Sequence, residues 1–298
     1  MPTDRKQFLQ TVRAQYLGSR MRQLREERGL TLKYIAAYLG VEFSTLARYE
    51  RAEWPFRRDH VIALLDVYGV YDDATRTALV DMAHQAWRIN QWVPAANQPD
   101  NAHSGDARGR GGGTVVDDWW VQQRAEELCI YANLTIPQVV QARDYATAII
   151  AHTVPQQPLV DKLVRQLVER QQALEVDRKP ETRLEILLEE PVLHRPVGGR
   201  LVLQAQLQHL ARLLERPHIN VRILPTRIGW HPGLHGAFTL CTMQRPYPPV
   251  ALVHHLDGHL MIEADAAQRY KTAFDKLREL SLSPAESAAL IATTAEET

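Results

Sequence analysis

Residues 31–50 read TLKYIAAYLGVEFSTLARYE, a stretch that predicts two short helices joined by a tight turn. Its first half carries apolar residues at the i, i+3, i+4 and i+7 spacing of one helix face: Leu32, Ile35, Ala36 and Leu39. Thr31 precedes them as a typical N-cap, and Gly40 follows them at the point where helices commonly end in a left-handed residue. A second helical pattern runs from Glu42 to Arg51. The chain is therefore expected to turn sharply between the two helices.

The second of these helices is predicted to have one apolar face and one face suited to reading DNA bases. The inward set is Val41, Leu46 and Tyr49, and the outward set is Phe43, Ser44, Thr45, Ala47 and Arg48. Arginine can donate two parallel hydrogen bonds to guanine, hydroxyls can bond base edges or phosphates, and an aromatic ring can contact the thymine methyl. Free N–H groups near Thr31, together with the Lys33 cation, suit a phosphate. The predicted DNA-binding residues are Thr31, Lys33, Phe43, Ser44, Thr45, Arg48 and Arg51, with Arg48 the first choice for a base contact.

The stretch from Leu17 to Val70 resembles the Xre/Cro-type helix-turn-helix family. The matching residues are Leu17, Met21, Arg25, Gly29-Leu30-Thr31, Ile35-Ala36, Gly40-Val41, Ser44-Thr45-Leu46, Tyr49-Glu50 and Pro55. The resemblance implies a structural ion pair between Arg25 of the first helix and Glu50 at the end of the recognition helix. The sequence departs from the family at Leu32, where many members have a phosphate-binding glutamine, and at Ala52, where a glycine usually closes the helix. The first departure weakens the case for one phosphate contact.

The charge distribution favours a nucleic-acid partner. The chain has 35 Lys+Arg and 35 Asp+Glu, so its formal net charge is zero. Residues 1–58, however, hold twelve Lys/Arg and six Asp/Glu, a formal charge of +6, which leaves −6 on the remainder. A basic head on an acidic body predicts double-stranded DNA as a partner.

Length and composition predict two folded domains and no membrane partner. The 298 residues are 45% apolar and 23% charged, as in soluble globular proteins. No apolar run approaches the ~20 residues that span a bilayer, and the charged start MPTDRKQF is unlike a signal peptide. A cytoplasmic location is therefore expected. Cys129 and Cys241 are far apart and lack a zinc-binding pattern, so they indicate neither a disulfide framework nor a structural zinc knuckle. We expect no cofactor and no metal.

The predicted organisation is a mainly α N-terminal helix-turn-helix domain of five helices, followed by an α+β domain with a small mixed sheet. The boundaries are 1–95 for the first domain, 96–114 for a flexible linker rich in Gly, Asn, Ser and Asp, and 115–298 for the second domain. Predicted helices of the second domain cover 117–131, 137–151, 159–174, 263–280 and 284–294, with one more from Gly198-Gly199 to Leu214. Predicted strands cover 183–189, 220–224, 237–241 and 250–256.

The second domain is similar to the C-terminal domain of unknown function of actinobacterial Xre-type regulators, including WhiJ-like developmental and antitoxin-like members. The matching segments are IPQVVQARDYATAI (136–149), GGRLVLQAQLQHL (198–210) and VRILPTRIGWHPGLHGAF (221–238). The first segment usually reads IPGLLQTPDYA, and Gln138, Ala142 and Arg143 depart from it. The resemblance implies a domain that senses a small partner protein, whereas the α+β fold equally permits a small-molecule effector.

A hydrolytic or metal-dependent enzyme is the alternative class. Five histidines lie near Glu263 and Asp265 in sequence: His231, His235, His254, His255 and His259. Pro232 and Gly233 make a shared helix face for His231 and His235 improbable, and neither HExxH nor GxSxG occurs, so we predict no enzyme. The loop GWHPGLHG (229–236) reads either as a wide connection or as the wall of a ligand or partner pocket formed by Trp230, His231 and His235.

Together these features predict a sequence-specific DNA-binding transcriptional regulator. A single head of this size reads a half-site, so a homodimer on an inverted repeat is expected. The second domain is expected to dimerise the protein and to sense the partner or effector.

Overall fold

A computed structural model describes residues 8–94, 116, 118–175 and 182–298 of the chain. The predicted linker, residues 96–114, lies outside the described residues. The chain divides into two compact units. The first unit comprises Met1–Val121, Arg245–Pro248 and Leu256–Ala264, and the second comprises Gln122–Gln244, Pro249–His255 and Asp265–Thr298. Two short pieces of the C-terminal half of the sequence thus belong to the unit that contains residues 31–50.

The first unit is mainly helical, which confirms the fold class predicted for the N-terminal region. Its principal helices are α1 (Val12–Glu27), α2 (Leu32–Leu39), α3 (Phe43–Glu50), α4 (Arg58–Val67) and α5 (Asp73–Gln85). Side-chain caps explain where α1, α2 and α5 begin, because Thr11, Thr31 and Asp72 each accept the backbone N–H three residues ahead. Helix α1 begins five residues before Leu17, the first residue of the stretch that resembles the family, and its first residue, Val12, is fully buried.

The core of the first unit lies between these helices. Leu17, Met21, Ile35 and Leu46 are almost completely removed from solvent. Gly18 of α1 lies against the end of α3, where an added Cβ would stand 2.6 Å from the carbonyl oxygen of Glu50. A glycine is therefore needed where the two helices approach.

The described residues contain seven strands. They are β1 (Gln91–Pro94), β2 (Ala125–Ala132), β3 (Arg183–Glu189), β4 (Ile219–Leu224), β5 (Phe238–Met243), β6 (Val250–His255) and β7 (Gly258–Glu263). Strands β1 and β7 belong to the first unit and pair antiparallel, with Trp92 opposite Leu260. The sequence predicted neither strand and placed the start of a helix at Glu263. That helix is α10 (Gln268–Leu280), which begins after a short 3-10 turn.

In the second unit, β2, β3 and β4 are parallel, whereas β5 is antiparallel to β2 and β6 is antiparallel to β5. The helix predicted over 117–131 is wrong, because α6 (Asp118–Gln122) is short and β2 occupies most of the remainder. Strand β2 has neighbours on both sides, and its last five residues are buried without alternation. Hydrophobic periodicity cannot distinguish such a strand from a buried helix.

Helix α6 lies in the first unit as far as Val121. The second unit contains, besides α10, the helices α7 (Arg143–Thr153), α8 (Gln157–Glu175), α9 (Arg200–Leu213) and α11 (Pro284–Glu297). The predicted helix over 137–151 starts only at Arg143, since Pro137 precedes a 3-10 turn at Gln138–Val140. Helices and a mixed sheet together confirm the α+β prediction. Within the described ranges, no helix combines the length and apolar character that crossing a bilayer requires.

Candidate nucleic-acid interface

Hydrogen bonds and backbone geometry define both ends of α2 and the turn that leads into α3. Thr31 Oγ1 accepts the backbone N–H of Tyr34 at 3.2 Å. Gly40 has a left-handed backbone with φ 66, and the N–H of Val41 reaches the carbonyl oxygen of Ala36 at 3.0 Å. Helices α2 and α3 pack against each other across this turn. The geometry is the helix-turn-helix that residues 31–50 predict.

Helix α3 exposes most of the predicted reading face. Phe43, Ser44 and Arg48 are exposed and Thr45 is half-buried, whereas Leu46 and Tyr49 are buried. Ala47, which the sequence placed on the outward face, is buried. The reason is that α3 packs against both α1 and α2, so its inner face is wider than a single apolar stripe. The exposed face is correspondingly narrower and contains an aromatic ring, hydroxyls and a guanidinium.

Arg25 and Glu50 join the end of α1 to the end of α3. Arg25 Nε donates to Glu50 Oε1 at 2.7 Å, and Arg25 Nη2 donates to Glu50 Oε2 at 2.9 Å. The two side chains are only 7% and 4% exposed. The hydrogen bond to Glu50 raises the pKa of Arg25, and Arg25 Nη1 also donates to the carbonyl oxygen of Leu30. This two-bond arrangement fixes the orientation of α3 relative to α1.

Three cations of the predicted DNA-binding set are exposed: Lys33, Arg48 and Arg51. Glu53 lies near both arginines, since its carboxylate is 2.7 Å from Arg51 Nε and 3.9 Å from Arg48 Nε. The hydrogen bond from Arg51 lowers the pKa of Glu53. Arg48 Cζ also lies 4.7 Å from the centroid of the Trp54 ring. One acidic residue therefore offsets part of the positive charge at the end of α3.

Two residues from the C-terminal half of the sequence contact the helices of the first unit, and sequence reasoning missed both. Tyr247 Oη donates to the carbonyl oxygen of Arg51 at 3.3 Å, and Glu263 Oε2 accepts the N–H of Val12 at 2.6 Å. Burial raises the pKa of Glu263 to about 7, against the opposing effects of the Val12 N–H and Arg13. No local pattern could reveal these contacts, because the partners are 196 and 251 positions apart.

The loop predicted as a pocket wall lies in the second unit, and its three candidate residues differ in solvent exposure. Trp230 is 70% exposed and His235 is exposed, but His231 is only 4% exposed. His231 Nε2 lies 3.1 Å from Glu189 Oε1, which also accepts a hydrogen bond from Tyr131 Oη at 2.7 Å. His231 is therefore part of a buried polar cluster, whereas Trp230 and His235 are exposed. The assignment of all three side chains to one pocket stays a prediction.

The remaining features are the candidate metal-binding residues, the two cysteines and one cavity. Among the described residues, no group of three or more His, Cys, Asp or Glu side chains could hold a metal ion. Cys129 and Cys241 are buried free thiols, and burial raises the pKa of Cys129 to about 12. A cavity of about 530 Å³ is lined by Glu190, Pro191, His194, Arg195, Pro196 and Thr226, a set that includes none of the predicted pocket residues.

Comparison with known proteins gives two family matches. Residues 16–79 match the family described as Helix-turn-helix domain. Residues 119–293 match the family described as Domain of unknown function (DUF5753). No curated protein and no solved structure matches the chain. The first match contains every predicted DNA-binding residue, from Thr31 to Arg51.

Proposed function

Because the chain belongs to the DUF5753 family, which matches more than half of it, and also carries a helix-turn-helix domain, we propose that it is a sequence-specific DNA-binding transcriptional regulator. The observation that carries the proposal is the exposed face of α3. Phe43, Ser44 and Arg48 project from a helix whose opposite face is buried through Leu46 and Tyr49. Guanidinium, hydroxyl and aromatic groups are the side chains that read base edges in the major groove.

In this proposal α3 enters the major groove and α2 meets the backbone. The N-terminus of α2, with Thr31 and Lys33, faces a phosphate, and such contacts set the register of the protein on the duplex. Arg48 reads a guanine, with Ser44, Thr45 and Phe43 beside it. The buried Arg25–Glu50 pair supports this role because it holds α3 in one orientation before DNA is bound. Arg51 supplies a further phosphate contact once its guanidinium leaves the Glu53 carboxylate and binds a DNA phosphate.

We further propose the Xre/Cro type of regulator, acting as a homodimer. Two copies of α3 would occupy half-sites of an inverted repeat about one helical turn apart. Residues 1–95 would carry DNA binding, and residues 115–298 would dimerise and sense a small partner protein or a small-molecule effector. The resemblance to WhiJ-like and antitoxin-like regulators supports this division of roles.

The proposal assigns neither enzymatic activity nor a cofactor to the chain. The alternative, a hydrolytic or metal-dependent enzyme joined to a DNA-binding head, is tested by metal analysis of the purified protein. A stoichiometric ion that is lost on His231→Ala or His254→Ala would favour the enzyme. A metal-free protein that binds its operator would favour the regulator.

The main experiment is selection of binding sites from a random DNA library by the purified full-length protein. We expect the wild-type protein to enrich an inverted repeat, bound by two chains per site. Arg48→Ala should lose the preference at one base pair of each half-site and weaken binding to the selected site by about 1–3 kcal/mol. Arg22→Ala is the matched control, because Arg22 is an exposed arginine of α1 that pairs with Glu26 in its own helix. The Arg22→Ala protein should keep the base preference of the wild type.

The absence of any enriched sequence with the wild-type protein would refute the proposed function. An unchanged base preference and affinity in Arg48→Ala would refute only the assignment of Arg48 to a base contact. Enrichment of a single half-site bound by one chain would refute only the homodimer.

A further inference from the structure

Trp54 exposes a large apolar ring to solvent, and base reading by α3 alone does not explain this exposure. Its indole is 44% exposed, although Ala52 and Phe56, two residues away on either side, are buried at 1% and 4%. A large apolar ring left in water forgoes the stabilisation that burial would give. The ring has a specific contact, because the guanidinium carbon of Arg48 lies 4.7 Å from its centroid. That distance is within the range of a cation–π interaction.

The turn that ends α3 brings Trp54 back to Arg48. Ala52 has a left-handed backbone with φ 54. The N–H groups of Glu53 and Trp54 both reach the carbonyl oxygen of Arg48, at 2.9 and 3.4 Å. Helices α1, α2 and α4 are also followed by a left-handed residue, which in each case is a glycine: Gly29, Gly40 and Gly69. Alanine is sterically disfavoured in this conformation, so the turn after α3 is held by its burial and its hydrogen bonds.

The anchors on both sides of Trp54 hold its backbone next to α3. Ala52 packs in a buried cluster with Ala14 and Ala86. Phe56 packs against Tyr49 of α3 with ring centroids 5.1 Å apart and ring planes tilted by 33°. The segment is thus tied to α3 and to the core on both sides of Trp54, and the indole face is presented to the side chain of Arg48.

We propose that Trp54 is a positioning residue for Arg48 and thereby a determinant of base preference. This inference rests on the proposed function. A guanidinium stacks favourably on an aromatic face, and the stack leaves its in-plane N–H groups available to donate to guanine. Stacking also restricts a long side chain before binding, so less rotamer freedom is lost in the complex. Glu53 holds Arg48 less firmly than Trp54 does, because its carboxylate lies 3.9 Å from Arg48 Nε and already accepts a hydrogen bond from Arg51.

The test measures the affinity of the full-length protein for two DNA duplexes. One is its selected operator. The other is the same operator with a change at the base pair whose preference Arg48→Ala abolishes. The ratio of the two affinities is the readout. Trp54→Leu should lower this ratio about 2- to 5-fold, the worth of an exposed cation–π contact, without changing binding to unrelated DNA. Trp54→Phe, which keeps an aromatic face, should retain most of the ratio. Glu53→Gln should retain it as well.

A double variant separates positioning from other roles. In an Arg48→Ala background, Trp54→Leu should cause no further change in the ratio. A further fall there would overturn the inference, because Trp54 would be acting without Arg48. An unchanged ratio in Trp54→Leu would also overturn it, and so would a loss in Glu53→Gln as large as that in Trp54→Leu. These outcomes leave the proposed function intact, whereas a wild-type protein without any base preference refutes the proposed function itself.

Discussion

Replacement of Glu263 by glutamine should remove a pH-dependent loss of stability from the first unit. Glu263 Oε2 accepts the N–H of Val12 at 2.6 Å, at the first residue of α1, and Oε1 has no hydrogen-bond partner among the described residues. Burial raises the pKa of this carboxyl from 4.5 to about 7. The opposing effects of the Val12 N–H and of Arg13, which lies close to Arg88, are smaller. Glu263→Gln keeps a carbonyl acceptor for Val12 and cannot ionise.

The sign and size of the effect follow from linkage. The pKa of Glu263 is higher in the folded than in the unfolded state, so the folded state binds the proton more tightly. The free energy of unfolding therefore falls as pH rises from about 4.5 to about 7, and the total loss is about 3 kcal/mol. Glu263→Gln should be close to wild type near pH 4.5 and more stable than wild type by up to about 3 kcal/mol at pH 8.

Native-state hydrogen exchange of the α1 amides, corrected for the intrinsic pH dependence of exchange, measures this free energy in the full-length protein. Wild type should lose protection between pH 5 and pH 8, and Glu263→Gln should not. Glu27→Gln is the control, because Glu27 is an exposed glutamate of the same helix, and it should follow wild type. The reasoning is refuted if Glu263→Gln shows the same pH dependence as wild type.

Three further substitutions test close packing and the buried ion pair. Gly18→Ala would place a methyl group 2.6 Å from the carbonyl oxygen of Glu50, so thermal unfolding should show a loss of about 1–3 kcal/mol; an unchanged melting temperature contradicts this. Glu50→Gln leaves the charge of Arg25 buried without its carboxylate, and urea denaturation should show a loss of about 3–5 kcal/mol; a loss below about 1 kcal/mol would mean that the pair is energetically unimportant. Gly233→Ala would push a methyl group into the ring of Tyr131, so near-ultraviolet circular dichroism of the tyrosines should change and the second unit should be less stable by about 1–3 kcal/mol; an unchanged spectrum and melt would show that the loop can move aside.

The sequence predicted the helix-turn-helix well because its determinants are local. The cap at Thr31, the turn at Gly40 and the apolar spacing of α2 all act within one or two helical turns. The Arg25–Glu50 pair came from a family resemblance, since spacing alone does not select one partner among several acids. Ala47 was misplaced because the width of a helix's buried face depends on how many neighbours pack against it.

The features that the sequence did not predict depend on distant partners. Strand β1 exists as a strand because β7 pairs with it, and the two are far apart in the chain. Strand β2 has the composition of a helix at Glu126 and Glu127 and becomes a strand because β3 and β5 flank it. His231, in the loop between β4 and β5, is likewise buried beside a distant residue, Glu189 at the end of β3. Local propensity carries no information about such pairings.

The first unit is built from three separate stretches of the chain, and this has a consequence for protein synthesis. Its last stretch ends at Ala264, so the ribosome must translate the chain as far as residue 264 before the unit has all its residues. A nascent chain that has only reached Val121 lacks both the strand that pairs with β1 and the carboxylate that caps α1. Premature termination anywhere before that last stretch would thus release the recognition helix in an unfinished unit, with β1 unpaired and the first N–H of α1 uncapped. A gene interrupted in its second half would not leave behind an intact copy of the DNA-binding unit.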